Sequence, residues 1–154
     1  MADLTASADL RVLGEAYTQK YLIDTTAAHT IYKGTAMIVD QDVDGTGPLC
    51  PFISSVVVAP TDVAMGIAAE DKSVTIGAIE DTRIECYVYP TILGFKSAVF
   101  TNGADNGLGV YMDDSGTLVG VAGVANQPYI GILHGVWGGY AYVRIHPPTI
   151  CTGA

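Results

Sequence analysis

Hydrophobic and polar positions alternate most cleanly in two stretches of this chain. In residues 83–90 (RIECYVYP), Ile84, Cys86 and Val88 fall on one face, with Arg83, Glu85, Tyr87 and Tyr89 on the other. In residues 140–147 (YAYVRIHP), Ala141, Val143 and Ile145 face one way, with Tyr140, Tyr142, Arg144 and His146 opposite. Successive side chains of a strand point to opposite faces, so both stretches predict half-buried strands with a tyrosine-rich outer face. Each ends on proline, and each closes a cycle of three segments. Residues 34–40 (GTAMIVD), 63–70 (VAMGIAAE) and 83–90 recur in order as 107–113 (GLGVYMD), 129–135 (YIGILHG) and 140–147. Two explanations stay open, a true internal duplication and repeated use of the same turn chemistry by an all-β chain.

From Ile31 onward the pattern predicts strands over 31–39, 53–59, 63–69, 74–79, 83–89, 97–100, 108–112, 117–122, 129–134 and 139–146. Turn signals separate them, including Asp44-Gly45, Asn102-Gly103, the Asp114-Ser115-Gly116 hairpin and Gly138-Gly139. Short strands at this spacing imply an all-β fold, a small barrel or a sandwich, with or without an internal two-fold repeat. Residues 1–30 differ, having neither glycine-rich turns nor clean alternation. Leu10, Leu13 and Tyr17 are spaced for a helical turn or two. The expected division is an extended N-terminal arm (1–30), ordered on a partner or packed as a first strand or helix, and a β domain (31–154).

Composition adds a role to this scaffold. The 154 residues are 49% hydrophobic but only 15% charged, against a typical charged share of about 25%. No run reaches the roughly 20 apolar residues of a membrane-spanning helix. Apolar surface covered by other subunits accounts for both numbers, so self-association is expected. The net charge of −9, with seven scattered basic residues, excludes a phosphate-neutralising stripe and hence nucleic acid as partner. No signal peptide is evident at the N-terminus, and Cys50, Cys86 and Cys151 suit neither a disulfide framework nor a metal knuckle. Synthesis in a reducing cytoplasm is expected.

Candidate chemistry is sparse. Asp40, Asp42, Asp44 and Gly45 match the opening of a calcium loop, but its twelfth position is Pro51 where a bidentate Glu belongs. A solvated acidic turn is the default reading there. His29, His134 and His146 are too far apart for a local metal pair. No nucleophile elbow, phosphate loop or dinucleotide motif occurs, and a lone Cys86 on an inner strand face reads as packing. The expectation is a protein without enzymatic activity or cofactor. Nine tyrosines carry more weight. Tyr87, Tyr89, Tyr140 and Tyr142 are candidates for a subunit interface, with cross-strand aromatic pairing as the alternative.

The run from Gly107 to Leu118, followed by residues 126–133 (NQPYIGIL) and Tyr142-Val143-Arg144-Ile145, resembles the small capsid decoration, or cement, proteins of tailed bacteriophages. Lys33-Gly34 and residues 65–71 resemble the first half of the same group. The resemblance spans residues 31–146, and the chain departs from it by its arm and by residues 48–60. It implies a β-barrel or β-tulip protein, commonly a homotrimer, on the outside of an icosahedral head. There it would bridge major capsid subunits and stabilise the shell. The arm residues Leu10, Leu13, Tyr17, Tyr21 and Ile23 would then contact the capsid. Rival readings are another virion component (a head fibre base, a tail part or a receptor-binding module) and a small-ligand-binding β-barrel.

Overall fold

The structure, a computed structural model, describes residues 4–23, 28–39, 49–51, 63–75, 83–97, 99–112, 117–120 and 127–150. They form fourteen strands: β1 (Leu10–Leu13), β2 (Thr18–Leu22), β3 (His29–Ile31), β4 (Ala36–Val39), β5 (Leu49–Pro51), β6 (Val63–Ala68), β7 (Lys72–Val74), β8 (Arg83–Tyr87), β9 (Ile92–Lys96), β10 (Gly109–Met112), β11 (Leu118–Val119), β12 (Tyr129–Trp137), β13 (Tyr140–Ile145) and β14 (Thr149–Ile150). One 3₁₀ turn, Gly103–Asp105, and no α-helix occur among the described residues.

All pairings are antiparallel. A front sheet runs β1-β9-β13-β12-β10-β11 and a rear sheet β2-β8-β6-β4-β5, with β14 also on β6 and β3-β7 as a separate ribbon. Neither sheet closes on itself, so the fold is sandwich-like and the barrel alternative is set aside. The main core lies between the sheets. Leu93, Phe95, Val110, Met112, Leu133, Ala141, Val143 and Ile145 from the front meet Ala36, Ile38, Ala64, Ile67 and Tyr87 from the rear. A second core lies behind the rear sheet, where Met37, Ala68, Ile84 and Cys86 pack with Ile23, Ile31 and Val74. The ribbon thus leaves the centre of the rear sheet, around β4, β6 and β8, buried on both sides. That is why β4 is an unbroken apolar AMIV run and not an alternating one. At about 1.5–3 kcal/mol for each fully buried large side chain, these two clusters supply the main driving force for the fold.

The repeated sequence pattern maps one copy onto each sheet. The rear order β2-β8-β6-β4-β5 is matched by β9-β13-β12-β10-β11 in front. Registers match as well. Met37 pairs with Gly66 and Ile38 with Ala64 across a bulge; Val110 pairs with Gly131 and Tyr111 with Tyr129 across another. Thr18–Tyr87 and Lys20–Glu85 correspond to Ile92–Arg144 and Gly94–Tyr142. Shared turn chemistry does not require two bulges at corresponding residues, so the repeat is structural.

Several expectations are corrected. Residues 10–22 are not helical: β1 and β2 are edge strands of the front and rear sheets, completing both sheets of the β body. The i, i+3 spacing there is incidental, because Leu10 packs on the main core and Tyr21 on the second. The strand expected at 97–100 lies instead at Ile92–Lys96, where Gly94 hides the alternation of Leu93 and Phe95. The 31–39 stretch is split by a turn into β3 and β4. The strand expected at 53–59 and the hairpin turn at 114–116 lie outside the described residues, although β10 and β11 do pair on either side of that turn.

Candidate functional site

The outer face of the front sheet gathers a cluster of aromatic side chains left over from the two cores, with three of the seven basic residues among them. Gly138 and Gly139, both at positive φ (61° and 82°), make the tight β12–β13 turn, since two successive residues of this kind match the strand twist. Trp137 and Tyr140 face each other just before and after it. The Trp137 ring stacks on Tyr142, 4.0 Å between centroids and 13° from parallel. This pair lies over Gly135 and Gly94, where side chains would collide with the two rings. Tyr140 is held from the other side. The Arg11 guanidinium lies 4.1 Å over its ring, its hydroxyl donates to Asp9 at 2.6 Å, and Lys96 sits 3.2 Å from the same carboxylate.

Toward the opposite end of these strands, Leu13, Ile92, Arg144 and Ile132 form one cross-strand row. Beside it is an open depression of about 370 Å³ lined by Tyr89, Ile132, Arg144, Ile145, His146 and Pro147. Tyr129 meets the rings of Tyr111 and His146 edge-on at 5.3 and 5.2 Å. Four large apolar side chains stay open to solvent here: Leu13 (37% exposed), Ile132 (40%), Trp137 (45%) and Tyr89 (52%). The charged side chains of this face are Arg11, Lys96 and Arg144, with Asp9 as the one acid beside them among the described residues. The face is therefore cationic in a chain of net charge −9.

The residues singled out from the sequence fall into three groups. Of the expected capsid-contact residues, Ile23 is in the second core, Leu10 against the main core and Tyr21 partly packed, while Leu13 and Tyr17 remain exposed. Of the four interface tyrosines, Tyr87 is buried in the main core because the centre of the rear sheet has no free face. Tyr140 and Tyr142 do point outward but are covered by Arg11 and Trp137, leaving Tyr89 exposed. Asp40, Asp42 and Asp44 lie outside the described residues. Among the described residues no three metal-ligating side chains cluster. Cys86 is buried, and its thiol is pushed up to about 12 by desolvation first and the nearby Glu70 and Glu85 second. Such a thiol is a packing group and a poor nucleophile. Sequence reasoning missed Trp137, Ile132 and Arg11. Trp137 was readable as the residue before Gly138-Gly139, but the depth of Tyr142 beneath it was not.

Carboxylates fasten the N-terminal segment that borders this face. Ser7 donates to Asp71 at 2.6 Å, the Lys33 amide donates to Asp71 at 2.8 Å, and the Ala8 amide donates to the Lys33 carbonyl at 2.8 Å. Hydrogen bonds hold both acids below the ordinary value of 3.8, chiefly from Tyr140 and then Lys96 at Asp9, and from Ser7 and then Lys33 at Asp71. A depressed folded-state value gives stabilisation that is complete above the ordinary value and is lost as pH falls below it. Amide hydrogen exchange in residues 7–13 should therefore speed up between pH 4 and pH 2 relative to β12 and β13, after correction for intrinsic rates. Both acids are solvent-exposed, so the expected change is local. An equal response of both regions would show that these clamps do not hold the segment.

No protein-family model, curated protein or solved structure matches this chain.

Proposed function

We propose that this chain is a virion structural protein that binds the outer surface of an icosahedral phage head and stabilises it by bridging major capsid subunits. The observation that supports it is the front face just described, in which Leu13, Ile132 and Trp137, with Tyr89 on the turn beside them, are held open to solvent over the main core. Exposed large apolar groups on a rigid sheet suit a protein partner, since little further ordering is needed on contact. Repeated weak sites across a shell then add by multivalency. Shell contact by this reading shifts from the partly buried Leu10 and the buried Ile23 to Leu13, Tyr17 and the front face. The ligand-binding barrel fits less well. The sheets are open, and the gap where Ala64, Ile67, Ile130 and Ile145 meet holds about 10 Å³, the room of a single water.

Three measurements test the proposal together. The native mass should be a multiple of the 16.1 kDa chain, and the protein should co-sediment at saturating stoichiometry with purified expanded shells of its own phage. Shells carrying it should withstand several degrees more heating before releasing DNA. Failure to bind shells sinks the reading, and unaided assembly into rings or tubes transfers it to a tail component.

A further inference from the structure

The internal repeat assigns a partner chemistry to the front face. Position for position, this face corresponds to the face of the rear sheet that is buried in the main core. Ala64, Ile67 and Tyr87 of the rear sheet point into that core; their register equivalents Tyr129, Ile132 and Arg144 point outward. Conversely, Met37, Ile84 and Cys86 face the second core, while their equivalents Val110, Ala141 and Val143 face the main one. The two repeats are thus stacked head to tail, the same face of each turned in the same direction. One end of the stack is capped by the β3-β7 ribbon through Ile31 and Val74. The other end, the front face, has no third layer among the described residues.

We infer that the front face is a docking surface for an apolar sheet or strand surface of a partner protein, edged by carboxylates. The first repeat shows what such a face accepts, since its equivalent is covered by an apolar sheet. The departures from it define the difference in chemistry. Where Tyr87 stands in the rear sheet the front sheet has Arg144, which makes no ion pair among the described residues, with Lys96 and Arg11 flanking. A second copy of this chain laid face to face would oppose these cations to one another, and the ribbon blocks continuation of the stack head to tail. The complement is an acidic-rimmed apolar surface on a different chain. The identity of that chain as the major capsid protein rests on the function proposed above.

The test uses the full chain, purified shells, and variants at exposed positions where melting temperature should hold within about two degrees. Ile132→Asp and Arg144→Glu should each weaken co-sedimentation with shells at least tenfold, and Arg144→Lys should retain most of it. Lys20→Glu, on the rear-sheet edge, should bind as the parent. Raising salt from 50 to 500 mM should weaken the parent more than Arg144→Glu. If the parent binds and Ile132→Asp and Arg144→Glu bind equally well, the face is not the docking surface. If the parent alone forms a dimer that Ile132→Asp abolishes, the occupant is a second copy and the assignment of a different chain is wrong. If the parent does not bind shells, the capsid reading fails. In that case the face is tested with Ile132→Asp against the partner recovered by crosslinking, and equal capture by parent and variant overturns the docking surface itself.

Discussion

Replacing Gly131 by alanine is expected to cost at least about 3 kcal/mol, enough to remove a large part of the stability of a domain this size. Gly131 stands where the bulge of β12 presses against β13. A β-carbon there falls well inside the van der Waals radius of the Arg144 carbonyl oxygen and also meets the Val143 side chain. Backbone cannot swing aside as a flexible side chain does, so β12 and β13 must separate or the bulge must rearrange. Its repeat equivalent behaves alike. A β-carbon at Gly66 comes 2.5 Å from the Tyr87 carbonyl oxygen, and Gly66→Ala should also destabilise, by somewhat less. Gly107→Ala is the control, because nothing lies within 4 Å of the added carbon; the cost there is the positive φ alone, about 1–2 kcal/mol. Urea midpoints at unchanged slope measure all three. A Gly131→Ala midpoint equal to that of Gly107→Ala would show that the close approach is not real.

Leu133→Ala is the second large effect. Leu133 is 1% exposed and sits in the main core opposite Val143 in register. Truncation removes the transfer free energy of the lost methyl groups and leaves a void among tightly packed neighbours, for about 2–5 kcal/mol. Leu22 is the contrast. It lies on an edge strand at 47% exposure, and Leu22→Ala should stay within about 0.5 kcal/mol. Thermal and urea unfolding of both variants separate burial from mere hydrophobicity. Equal losses would mean that the Leu22 side chain is covered in solution by another molecule; a mass measurement on the same sample then decides whether a second copy covers it.

Alternation made β13 and β8 legible in sequence, but not which of their faces are covered. Residues 140–147 alternate, and Ala141, Val143 and Ile145 do face the core. Residues 83–90 alternate equally well, yet their polar-looking face is buried too, because Tyr87 reaches the main core while Ile84 and Cys86 reach the second. A pattern of period two reports which residues share a face. It does not report how many faces are covered, and the covering ribbon comes from short segments around Ile31 and Val74 with no periodicity of their own. The β9 strand escaped notice for a related reason. Gly94 is small so that Tyr142 can lie over it, and that need arises from a residue far along the chain. The front face was half visible: Tyr140, Tyr142, Arg144 and His146 were placed on an outer side, but Arg11 and Asp9 join them only through tertiary pairing.

The placement of the first two strands also fixes an order of events during synthesis. β1 pairs with β9 and β2 with β8, so neither has a partner until residues 83–96 have left the ribosome. β10, β11, β12 and β13 pair in a compact series of neighbours, and contacts close in sequence form soonest. Strands β1 and β2 must therefore remain unpaired in the growing chain while those later residues arrive. Each of these two strands is made well ahead of the neighbour that gives it a place.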